Sequence, residues 1–215
     1  MALLKKGELK AFLDRLFELY PNPKCELNYK NHFTLLVAIV LSAQSTDKGV
    51  NKVTEKLFNE ASSPEEMLAL GEEKIKQHIR SINYFNNKAK SIINLSKQLV
   101  EEYNGIVPNT VESLLKLSGV GKKTASVFLN VAYQAPLIGV DTHVFRLCHR
   151  LNICNGKTPE EVQNKLHKII PENYKVDVAL ALILHGRYTC TAKNPKCHNC
   201  PLFDICTSKE KREFK

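Results

Sequence analysis

Apolar residues recur along this chain at intervals of three and four, the spacing that collects them on one face of an α-helix. That pattern predicts helices over Glu8 to Leu19, Asn87 to Tyr103, Thr142 to Leu151 and Val176 to Leu184. Other helix starts are marked by their first residues. Ser63-Pro64-Glu65-Glu66 and Thr158-Pro159-Glu160-Glu161 each offer a capping hydroxyl, a proline at the first helical position and a glutamate at the third. Asn109 with Glu112 predicts one more, leading into a short helix from Val111 to Leu117 that stops at Ser118-Gly119, with Lys122 to Val131 as its partner. Phe33 to Leu41 is ambiguous, because Thr34, Val37, Ile39 and Val40 are β-branched and suit a strand. No second strand is available to pair with it, so helix is the expectation and the fold class is all-α. There is no low-complexity linker and no internal repeat. A domain boundary is expected near Ala135-Pro136.

Length and charge narrow the choice of partner. The 215 residues suffice for one large or two small domains. Lys and Arg number 31 against 22 Asp and Glu, a formal net charge of +9, which favours a polyanionic partner, nucleic acid first. The longest apolar-rich run, Phe33 to Leu41, is far short of the roughly 20 residues that span a bilayer. No N-terminal segment resembles a signal peptide, so a cytoplasmic, nucleoid-associated protein without membrane contact is expected.

The segment Leu117-Ser118-Gly119-Val120-Gly121-Lys122-Lys123-Thr124-Ala125, followed by Val140-Asp141-Thr142-His143, carries the densest chemistry. Two glycines spaced G-x-G let backbone N–H groups approach an anion, at the positive end of the helix that follows. A turn of this kind grips a phosphate without reading sequence. Lys123 falls in the first turn of that helix, where the dipole disfavours an ammonium and so favours the neutral amine needed for attack at a sugar C1′. A nearby carboxylate would oppose that effect, and an ordinary ion pair between Lys123 and Asp141 is the alternative.

Seven cysteines are unevenly placed: Cys25, Cys148 and Cys154 are scattered, whereas Cys190-x6-Cys197-x2-Cys200-x5-Cys206 forms a tight group. In a reducing compartment such a group indicates metal, and four thiolates suit either zinc or an iron-sulfur cube.

Together with Leu41-Ser42-Ala43-Gln44-Ser45-Thr46-Asp47 and Leu184-His185-Gly186-Arg187-Tyr188-Thr189-Cys190, these motifs make the sequence resemble the endonuclease III family. Its members are helix-hairpin-helix DNA glycosylases that carry a [4Fe-4S] cluster. The resemblance extends over nearly the whole chain. It implies a six-helix domain over residues 25–135 containing the hairpin, and a cluster domain built from residues 1–24 and 136–215, with DNA across the cleft. It implies Lys123 as nucleophile, Asp141 as its essential partner and Lys122 as a neighbouring basic position. Cys190, Cys197, Cys200 and Cys206 become cluster ligands, Gly119 and Gly121 phosphate contacts, and Gln44 the residue that fills the space of an extruded base. Lys193 and Lys196, in the loop between the first two cysteines, are candidate phosphate contacts.

The activity implied is base excision repair, in which oxidised pyrimidines are removed from duplex DNA and the strand is cut at the abasic site through a Schiff base. The partner is double-stranded DNA carrying damaged pyrimidines or abasic sites, and the protein is expected to be a monomer.

Two positions depart from the family. Ser118 stands where proline commonly precedes G-V-G, which gives up a fixed φ. Tyr84 occupies the place of an apolar wedge residue, often leucine; its ring can still stack between bases. Two other readings compete. An adenine-mismatch glycosylase shares the hairpin and cysteines but requires a carboxylate before the Leu41 motif, and Leu27 to Thr46 contain no Asp or Glu. A non-catalytic hairpin module with a zinc-stabilised tail explains the charge, but not Lys123, Asp141 and Gln44 together.

Overall fold

A computed structural model of the chain describes residues 3–214. Among the described residues there are eleven α-helices and no strand. The chain forms two compact units, one of residues 26–135 and one of residues 1–25 with 136–215.

Unit 26–135 contains α2 (His32–Ser42), α3 (Asp47–Glu60), α4 (Pro64–Leu70), α5 (Glu72–Ile79), α6 (Phe85–Tyr103), the single turn α7 (Val111–Leu114) and α8 (Lys122–Tyr133). The ambiguous run is the central helix α2, with every residue from Phe33 to Leu41 buried. It packs against α3, α6 and α8, so it is apolar on all sides and its β-branched residues reflect burial rather than sheet. Asn31 starts it: its side chain accepts the Thr34 N–H at 2.9 Å.

Ser63 and Glu66 form the expected reciprocal cap of α4. The start of α7 differs from expectation. Thr110, not Asn109, is the cap, its hydroxyl accepting the Ser113 N–H at 3.3 Å, and the helix ends at Leu114 rather than Leu117. Either side chain could have capped; the extended backbone at Thr110 puts its hydroxyl in reach. Helices α3 and α5 are not among those the sequence predicts. The stripe of α3, Val50, Val53, Thr54, Leu57 and Phe58, has helical spacing but lies in a strongly polar segment. In α5 only Ile75 and Ile79 are buried.

The other unit contains α1 (Lys6–Leu19), α9 (Thr142–Arg150), α10 (Pro159–Ile169) and α11 (Val178–Tyr188). Leu13 and Leu16 of α1 share a core with Val144, Leu147, Val162, Leu166, Val178 and Leu182. That core ties the N-terminal helix to the C-terminal half, and Cys190, Cys200 and Cys206 pack against its edge. Thr158 caps α10 as expected, accepting the Glu161 N–H at 3.2 Å. No described helix is long and apolar enough to cross a membrane.

Candidate active site and metal centre

The two hairpin glycines have different reasons to be glycine. Gly119 has φ +77°, and a Cβ there would lie 2.9 Å from Ser91 Cβ and 3.4 Å from Val40 Cγ1. Gly121 has φ −97° and open space around its missing Cβ. The fold requires the first; the second leaves α8 without a side-chain cap and its N-terminal N–H groups approachable. Gly119→Ala is therefore expected to destabilise the protein by roughly 2–4 kcal/mol. Gly121→Ala should cost about 1 kcal/mol or less. Urea midpoints of the two variants check this contrast.

Lys122 and Lys123 are the first two residues of α8, and both are exposed. The turn before them is braced from α6. Gln98 accepts the Ser118 N–H at 2.8 Å on Oε1 and donates from Nε2 to the Lys116 carbonyl at 3.0 Å. Serine at 118 thus supplies a donor that proline lacks. Rigidity lost with the ring is offset by a clasp.

Asp141, in the other unit, is the N-cap of α9. Its Oδ1 accepts the N–H groups of both His143 and Val144 at 2.8 Å. Those two bonds fix the orientation of the carboxylate at the start of α9.

Gln44 and Tyr84 share an unusual backbone. Both lie in the left-handed region, at φ 54° and 57°, and both are exposed, Tyr84 by 62%. Non-glycine residues held there cost about 1–3 kcal/mol and persist where their surroundings over-determine them. Asn83 donates to the Gln44 carbonyl at 2.8 Å, linking the two loops.

The four clustered cysteines line one pocket together with His185, Leu202 and Phe203. Burial first, then mutual repulsion among the thiolates, raises the Cys197 thiol; burial leads the rise at Cys200 and Cys206 as well. A bound metal centre would offset that penalty by favouring the thiolates. Donors already face the sulfurs: Arg150 Nη1 is 3.5 Å from Cys190 Sγ, and the Ser208 N–H is 3.4 Å from Cys206 Sγ. His185, whose imidazole burial pushes down to about 4, places Nε2 3.9 Å from Cys200 Sγ and Nδ1 3.3 Å from the Tyr20 hydroxyl. No three of the described His, Cys, Asp or Glu side chains converge closely enough to hold a single ion. The four thiolates of Cys190, Cys197, Cys200 and Cys206 are the donor set that would hold an iron-sulfur cluster.

The loop after Cys190 is stiff. Arg150 donates to the carbonyls of Thr191 at 2.6 Å and Ala192 at 3.0 Å, and the Lys196 N–H closes onto the Thr189 carbonyl at 3.0 Å. Lys193 and Lys196 stand exposed on it.

Residues 37–172 match the HhH-GPD superfamily of base excision DNA repair proteins, and residues 190–206 match the iron-sulfur binding domain of endonuclease III. The endonuclease III of Haemophilus influenzae is 52% identical over 211 residues, 98% of this chain and all of that protein. That of Escherichia coli is 47% identical over 208 residues, 97% of this chain and 99% of that one. The chain belongs to the endonuclease III family. Among solved structures, a non-covalent endonuclease III–DNA complex superimposes with a TM-score of 0.93 at 42% identity, covering 99% of this chain and all of that one. A trapped endonuclease III–DNA covalent intermediate gives 0.92 at 42% identity, covering 98% of this chain and all of that one. Endonuclease III is a DNA glycosylase with lyase activity, and a [4Fe-4S] cluster is its cofactor. The adenine-mismatch and non-catalytic readings are set aside by this membership.

Three further residues support the site, and each leaves a trace in the sequence. Lys88 lies on the buried stripe of α6 with Ala89, Ile92, Leu95 and Leu99. His185 lies on that of α11 with Val178, Ala181 and Leu182. A charged or titratable residue at an apolar register position signals a buried polar contact. Arg150 follows Arg146 by one helical turn beside the α9 stripe.

Proposed function

We propose that this enzyme removes oxidised pyrimidines from duplex DNA and cuts the strand at the resulting abasic site, with Lys123 as nucleophile and Asp141 as its charged partner. The carrying observation is Lys123 itself: an exposed amine on the first turn of α8, two residues after Gly121, which gives the helix no side-chain cap. The backbone N–H groups of Gly119 and Gly121 hold a phosphate, and Lys122, Lys193 and Lys196 add cationic contacts to others. The damaged nucleotide leaves the stack, since its C1′ is otherwise out of reach. Gln44 fills the vacated space against the orphan base, and Tyr84 wedges the opened step.

The Lys123 nitrogen then forms a bond to C1′ as the glycosidic C1′–N bond breaks, its electron pair leaving with the base, which takes up a proton. Asp141 stabilises positive charge developing on the sugar and takes the proton shed by the amine. Ring opening breaks the C1′–O4′ bond and gives a Schiff base. Loss of a C2′ proton expels the 3′ phosphate by β-elimination, and hydrolysis of the imine frees Lys123. The cluster, held by Cys190, Cys197, Cys200 and Cys206, supplies a rigid anchor for the Lys193–Lys196 loop. The protein acts as a monomer in the cytoplasm, at the nucleoid.

Borohydride reduction during reaction with a duplex containing one abasic site is expected to leave a covalent protein–DNA adduct. A wild-type protein that cuts the site without an adduct would be using water or hydroxide, and the lysine mechanism would fail.

A further inference from the structure

Lys88 is a buried ammonium, 7% exposed, with no carboxylate beside it among the described residues. Its three N–H donors all go to one short segment: the Leu41 carbonyl at 2.9 Å, the Ala43 carbonyl at 2.7 Å and the Ser45 hydroxyl at 2.9 Å. Two of these oxygens flank Gln44 on either side. Burying a charge without a counter-ion is costly, and a helix that needed only an apolar contact at this position would carry leucine. Three acceptors around one ammonium satisfy it fully, so the cost is spent on fixing the path of residues 41–45.

The backbone end of Lys88 is equally informative. Its N–H donates to the Tyr84 carbonyl at 3.0 Å, in the first turn of α6. One residue therefore contacts the backbone of Tyr84 with its own backbone and brackets Gln44 with its side chain. Asn83 adds a second tie through the Gln44 carbonyl. Both residues tied in this way occupy the strained left-handed region.

We propose that Lys88 is a positioning residue, which locks the Gln44 loop to the start of α6 so that Gln44 and Tyr84 enter the duplex as one rigid piece. This rests on the assignment of Gln44 and Tyr84 to the opened base step. Because Lys88 touches neither lysine chemistry nor phosphate, its effect falls on extrusion of a stacked base and spares the steps that follow.

The test compares single-turnover base removal from a duplex bearing one oxidised pyrimidine with the rate of borohydride trapping on a preformed abasic site, where no base has to be extruded. Lys88→Met is expected to slow base removal about tenfold or more while trapping stays within about threefold of wild type, a misplacement effect at a distance from the reacting atoms. Asn83→Ala, at an exposed position that cannot unfold the core, is expected to slow base removal about threefold with trapping unchanged. It carries the test alone if Lys88→Met does not fold.

Gln44→Ala and Tyr84→Ala are run beside them. If both slow base removal but neither Lys88→Met nor Asn83→Ala does, the lock is wrong and the assignment of Gln44 and Tyr84 stands. If neither Gln44→Ala nor Tyr84→Ala changes base removal, that assignment falls and the lock with it. Equal loss of both activities in Lys88→Met, with Asn83→Ala silent, would make Lys88 a scaffold residue only and overturn the proposal.

Discussion

Lys123→Ala is expected to abolish borohydride trapping and to lower strand cleavage by at least about a thousandfold, the scale on which loss of a covalent nucleophile acts. Lys123 is exposed, so the fold should be unaffected, with stability within about 0.5 kcal/mol of wild type. DNA binding should persist, because the hairpin glycines and Lys122 remain. Lys122→Ala is the matched control: it keeps the adduct, weakens binding across all sequences and reduces the salt slope by about one. Gel-resolved trapping and binding titrations at several salt concentrations check both variants. An adduct of unchanged yield in Lys123→Ala would move the nucleophile elsewhere.

Asp141→Asn is the second large effect, and it separates two functions of one side chain. As an N-cap, Asp141 accepts two N–H bonds through Oδ1, and asparagine caps as well as aspartate. The variant should therefore melt within a few degrees of wild type, as expected of a change below about 1 kcal/mol. What asparagine lacks is the negative charge that stabilises an oxocarbenium-like sugar and accepts a proton. Base removal is expected to fall about a hundredfold or more on that account. Asp141→Ala should lose the activity and about 1 kcal/mol of stability besides. Paired melting curves and single-turnover kinetics make the comparison. Wild-type base removal by Asp141→Asn would reduce Asp141 to a helix cap.

Much of this architecture was legible because helices announce themselves through local rules. The caps at Ser63 and Thr158 are each legible in four residues, since a cap depends only on its own turn. The run from Phe33 to Leu41 was harder, because burial on all sides erases the periodicity that would mark a helix. It was settled by the lack of a partner strand. Asn109 and Thr110 are indistinguishable as caps in the sequence, because adjacent capping side chains differ only in backbone angle, which sequence does not record.

The four cysteines and the lysines after the hairpin could be named from spacing and family resemblance. The partners of Lys88 and Asn83 could not, because apart from the Ser45 hydroxyl they are main-chain carbonyls, which have no letter in the sequence. Arg150 is a similar case: it binds the carbonyls of Thr191 and Ala192 as well as a cysteine sulfur, forty residues away.

The clasp between Ser118 and Gln98 couples two positions of the chain, one in the hairpin and one on α6. Proline at 118 would delete the donor and strand Oε1 of Gln98, whereas a change at 98 would leave the Ser118 N–H seeking water. Neither substitution can be judged alone in this background. The two positions are coupled, so their effects on stability are not additive.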